Sequence, residues 1–75
     1  MKTGTQLRAL RVGAGLTQTE LAKETASHGL QQPRISLIEA GEALPSVKQL
    51  AVILDAVNAT PSERLEVLRG LTHGG

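Results

Sequence analysis

The chain has 75 residues, no cysteine, no Phe, Tyr or Trp, and a formal net charge of +1. It is read as one domain over residues 1–75, with a core spanning about residues 5–71 and supplying about 3 to 5 kcal/mol of net stability. The composition excludes disulfides and thiolate metal sites, and His28 and His73 stand too far apart to suggest a metal pair, so no metal and no cofactor are expected. An interior of Leu, Ile, Val and Ala suits close-packed short helices better than a sheet. The longest uncharged run is too short and too polar to span a bilayer, and MKTGTQL lacks the apolar stretch of a signal peptide. A cytoplasmic protein without membrane association is the expectation. Charge is unevenly spread: up to Ile38 there are five basic residues (Lys2, Arg8, Arg11, Lys23, Arg34) against two acidic ones (Glu20, Glu24), and beyond it three against five. A basic front half is able to present one face to phosphate.

Helix starts are marked where Ser or Thr is followed three residues later by Glu or Gln, because the two side chains satisfy each other's orphan amides. Four such places occur: Thr3 to Gln6, Thr17 to Glu20, Ser46 to Gln49 and Thr60 to Glu63, the last with Pro61 at the first helical position. The first helix is predicted from about Gly4 to Val12, burying Leu7 and Leu10 with Val12 a further candidate, and ending at Gly13 and Gly15. The second starts from Thr17, with Leu21, Ala22 and Thr25 or Ala26 inward. SHGLQQP then reads as a turn. The third helix, from about Gln32 to Ala40, turns Ile35 and Ile38 inward and stops at Gly41. The fourth, Ser46 to about Asn58, has an apolar stripe of Val47, Leu50, Ala51, Leu54 and Val57. The fifth starts at Thr60 and carries Leu65, Leu68 and Leu71, and His73 to Gly75 read as a frayed tail.

Two short helices joined by a glycine-containing turn, the second with Gln and Arg near its start, suit a reader of the DNA major groove. The groove admits one helix whose first-turn side chains meet base edges, where Gln pairs with adenine and Arg with guanine. Gln31, Gln32 and Arg34 are the candidates for base contact, with Pro33 fixing the backbone that aims them. Lys23 and Arg8 read as solvated, and His28 as a turn residue rather than a phosphate ligand.

The runs LRALRVGAGLTQTELAKE and RISLIEAGEALPSVKQLAVIL, over roughly residues 5 to 58, resemble the Cro/repressor type of helix-turn-helix, also called Xre-like. The resemblance implies an all-α, five-helix lambda-repressor-like fold with the helix-turn-helix formed by helices 2 and 3. It also implies that Gln18 bonds a phosphate at the start of helix 2 and that Arg11 pairs with Glu39 as framework. Thr19, Ser36 and Leu37 complete the expected DNA-binding set with Gln18, Gln31, Gln32, Pro33 and Arg34. The loop from Gly41 to Ser46 matches one that lies along the DNA backbone in this family, where Glu42 is a poor phosphate neighbour. Between Leu21 and Ile35 the family usually has three fewer residues. Either helix 2 is extended by nearly a turn or the loop is longer, with Leu30 plugging the core.

The function expected is that of a sequence-specific transcriptional regulator, a repressor acting as a homodimer on a palindromic operator in double-stranded DNA. Leu65, Leu68 and Leu71 are the expected dimer interface, with closure of the monomer's own core as the alternative. The competing class is an antitoxin, or an adaptor of the same fold, with a toxin or other protein as partner. The few residues after Leu71 leave little room for a toxin-neutralising tail. Catalysis is not expected: no triad spacing appears, five short helices enclose no useful pocket, and neither glycine cluster follows a strand.

Overall fold

The computed structural model describes residues 3–72, with the side chains of residues 3–70. The described residues form five α-helices and no strand: α1 Thr3–Gly13, α2 Gln18–Thr25, α3 Gln32–Glu39, α4 Val47–Ala56 and α5 Pro61–Thr72, with a 3-10 turn at Ala26–His28. This is the all-α, lambda-repressor-like class expected from the sequence, with α2 and α3 as the helix-turn-helix.

Three of the four anticipated capping boxes form. Thr17 and Glu20 exchange bonds of 3.0 and 2.9 Å, Ser46 and Gln49 two of 3.1 Å, and Thr60 and Glu63 bonds of 3.2 and 2.7 Å. The fourth does not form. Thr3 is already helical and buried, and Thr3 Oγ1 and Gln6 Oε1 find no hydrogen-bond partner.

α2 packs on α3 and α4, and α1 on α3 and α5. The core joins Leu7 of α1, Leu21 and Ala22 of α2, Leu30, Ile35 and Ile38 around α3, Leu50, Ile53 and Leu54 of α4, then Val57, Ala59 and Val67. Each fully buried aliphatic side chain stabilises the fold by about 1.5 to 3 kcal/mol relative to exposure. Several inward assignments are corrected. Val12 is exposed, because Leu7 and Arg11 already define the buried side of α1. On α4, Val47 and Ala51 face outward and Ile53 is buried instead. That helix is apolar at so many positions that two stripes fit helical spacing, and docking on α2 selects Leu50, Ile53, Leu54 and Val57. In α5 the core residue is Val67, whereas Leu65 and Leu68 are 51% and 42% exposed; the side chain of Leu71 lies outside the described residues.

α2 ends at Thr25, and the chain between it and α3 forms a 3-10 turn at Ala26–His28. Thr25, fully buried, donates its hydroxyl toward Leu21 O at 3.0 Å and Leu30 O at 2.9 Å, while Leu30 N–H donates to Thr25 O at 3.3 Å. Residues 26–29 are thus a closed excursion. Gly29 reverses the chain at φ 78°, a region that costs a residue with a Cβ about 1 kcal/mol or more. Leu30 then re-enters the core with no exposed surface.

One close approach fixes α1 against α3. A Cβ at Gly4 would fall inside contact distance of Ile38 O and lie 2.7 Å from Glu39 O, so no larger residue fits without moving backbone.

Candidate functional site

Gln18 and Gln32 occupy equivalent places, each the first residue of its helix after an extended N-cap, Thr17 and Gln31 respectively. The packing of α2 on α3 brings them together: Gln32 Nε2 donates to Gln18 Oε1 at 2.8 Å. Gln18 Nε2 in turn donates to Glu39 Oε1 at 3.1 Å. Glu39 is held from its other side by Arg11, whose Nε donates to Oε2 at 2.7 Å and Nη2 to Oε1 at 3.0 Å, and Arg11 Nη1 donates to Leu16 O at 2.7 Å. The Arg11 and Glu39 side chains are only 11% and 5% exposed.

The direction of this relay follows from chemistry. Arginine only donates and an ionised carboxylate only accepts. Gln18 must therefore turn its NH2 to Glu39 and its oxygen to Gln32, so Gln32 must donate through its NH2. What remains on Gln32 is a carbonyl oxygen and one N–H. The hydrogen bond to Glu39 also raises the Arg11 pKa against the opposing effect of burial, so the guanidinium stays charged at any working pH.

The other candidate residues divide by position. Gln31 is exposed, and its side chain makes no capping bond. Pro33 and Leu37 are exposed, Leu37 by 44%, and Ser36 is half-buried. Thr19 is exposed in the first turn of α2. Arg34, expected at a base edge, is half-buried and donates through Nη2 to Leu44 O at 3.1 Å, which leaves its other N–H groups outside that bond. Gln18, expected at a phosphate, uses its amide oxygen and one N–H in the relay and keeps a second N–H at the start of α2. Arg8 lines a cleft of about 230 Å³ with Arg11, Gln18, Ser36, Glu39 and Ala40, which brings a second guanidinium beside α3. The sequence signal was its place three residues before Arg11, on the same side of α1.

Among the described residues no group of three or more His, Asp or Glu side chains is placed to hold a metal ion, and no helix is long and apolar enough to cross a membrane. A family model described as a helix-turn-helix domain matches residues 3–67. No curated protein and no solved structure gives a significant match.

Proposed function

Because the chain belongs to the helix-turn-helix domain family, we propose that it is a sequence-specific DNA-binding transcriptional regulator of the Cro/repressor, or Xre-like, type. The observation that carries this reading is the Arg11–Glu39–Gln18–Gln32 relay. It holds an amide at the first turn of α3 with one acceptor and one N–H left uncommitted, the pair that suits the N6–H donor and N7 acceptor of adenine in the major groove. Fixing the amide before binding lowers the rotamer entropy lost on contact. In this reading α3 lies in the groove with Gln32 at a base edge. Gln31, Pro33, Ser36 and Leu37 are its neighbours there, and Thr19 and the amino-terminal amides of α2 approach one phosphate wall. Arg34 presents its remaining N–H groups to a base edge or phosphate from the same turn.

Residues 1–75 form one such domain, acting in the cytoplasm as a repressor, and two copies bind a palindromic operator with half-sites about 34 Å apart. The exposed Leu65 and Leu68 on α5, with Leu71 beyond them, supply the dimer contact. Selection of duplexes from a random library, with affinity measured against salt, tests the proposal. A two-fold symmetric motif whose affinity falls steeply as salt rises supports it; a chain that enriches no motif and binds without salt dependence is instead a protein-binding adaptor. Native mass measurement of the free chain and of Leu65→Glu reads the dimer.

A further inference from the structure

We propose that Pro33 and Leu37 form an apolar ridge on α3 that reads the 5-methyl group of a thymine near the base pair met by Gln32; this rests on the DNA-reading role above. Four residues apart, they share one side of the helix, away from the buried Ile35 and Ile38. Leu37 is 44% exposed and Pro33 is exposed as well, although the other aliphatic residues with long side chains on α3 are in the core. Gln32 and Ser36 are the uncharged polar residues directly preceding Pro33 and Leu37 in the chain, and Arg34 reaches Leu44 O through Nη2. A helix of this make-up offers the groove one small apolar surface bordered by hydrogen-bonding groups.

The thymine methyl is the one apolar group among the four base edges of the major groove. A ridge of two side chains is far smaller than the roughly 800 Å² that each partner buries in a standard protein interface, whereas it suits a single methyl. The spacing places the base. Leu37 follows Gln32 by five residues, about 7.5 Å of helix rise, which spans roughly two base-pair steps of about 3.4 Å when α3 runs along the groove. The preferred half-site is then an adenine contacted by Gln32 and a thymine about two steps away.

The probe is the tightest duplex recovered by the full chain from a random library, with each thymine replaced in turn by deoxyuridine, which lacks only the methyl. Against the wild type, one replacement per half-site is expected to weaken binding about fourfold, the effect of one buried methyl-sized group. Leu37→Ala, confirmed as folded by its melting curve, is expected to bind the thymine and deoxyuridine duplexes alike, and Leu37→Met to keep part of the discrimination. Uniform indifference of the wild type to deoxyuridine overturns the proposal, as does an undiminished penalty in Leu37→Ala. Loss of a dimer in Leu37→Ala, with deoxyuridine neutral throughout, reassigns the ridge to contact between copies. Failure to recover any duplex removes the DNA-reading premise, and the ridge assignment with it.

Discussion

Replacing Glu39 by leucine removes the acceptor of three hydrogen bonds, from Arg11 Nε, Arg11 Nη2 and Gln18 Nε2. Arg11, 11% exposed, then retains Leu16 O as its partner. Stranding a buried charge in this way costs about 3 to 5 kcal/mol, comparable with the whole net stability of about 3 to 5 kcal/mol for a core of this size. Glu39→Leu is therefore expected to be largely unfolded in dilute buffer, with a urea transition that lacks a native baseline. Arg11→Met combined with Glu39→Leu removes both charges and fills the space with apolar atoms, and its stability is expected within about 1 kcal/mol of the wild type. The double variant also lacks the carboxylate that orients Gln18, so it is expected to fold yet lose selectivity at the base read by Gln32. Stability and readout are thereby separated. The reasoning is refuted if Glu39→Leu costs less than about 1 kcal/mol, the range of an exposed pair, or if the double variant is as unstable as the single one.

Gly4→Ala improves helix propensity by at most about 1 kcal/mol, yet its Cβ would meet the Ile38 and Glu39 carbonyls, which are backbone and unable to rotate away. Overpacking costs about 1 to 3 kcal/mol, so urea denaturation should show a net loss, and unchanged or higher stability contradicts the close approach. Thr25→Val keeps the shape but strips the hydroxyl from Leu21 O and Leu30 O. A loss of about 1 to 3 kcal/mol, with faster hydrogen exchange at the Leu30 amide, is the expected result. The Glu20 carboxyl is held below its ordinary range, chiefly by the Thr17 backbone N–H and then by the Thr17 hydroxyl. Its folded pKa is depressed, so its stabilisation is present above the ordinary value of about 4.5 and is lost as pH falls through the folded value. Glu20→Gln should therefore flatten that part of the acid limb in melts recorded from neutral pH downward.

The helix order was legible because capping chemistry is local: Thr17, Ser46 and Thr60 each act on residues within one turn. Thr3 carried the same pattern and failed, since it is already helical and its buried hydroxyl has no hydrogen-bond partner. Burial was less legible wherever a helix offers two apolar stripes, as α4 does, because the choice depends on what it packs against. In the candidate site, Gln32 and Gln18 were each picked out by position. Their mutual bond was not, because it depends on the angle between α2 and α3 across the turn that joins them. The bond from Arg34 to Leu44 O was hidden because it depends on where the loop after α3 runs. The loop's path is a tertiary property, and no spacing in the sequence encodes it. The length of the segment between α2 and α3 was visible in the sequence, while its conformation follows from Thr25 and Leu30 closing the excursion at its base.

The claim on which the account turns is that a pre-oriented Gln32 amide reads adenine from the first turn of α3. Parallel selections of bound duplexes by the wild type and by Gln32→Ala test it most directly. Both are expected to recover related motifs, and the variant to lose its preference for adenine at a single position in each half-site. An unchanged adenine preference in Gln32→Ala, or a wild-type motif without such a position, would contradict it.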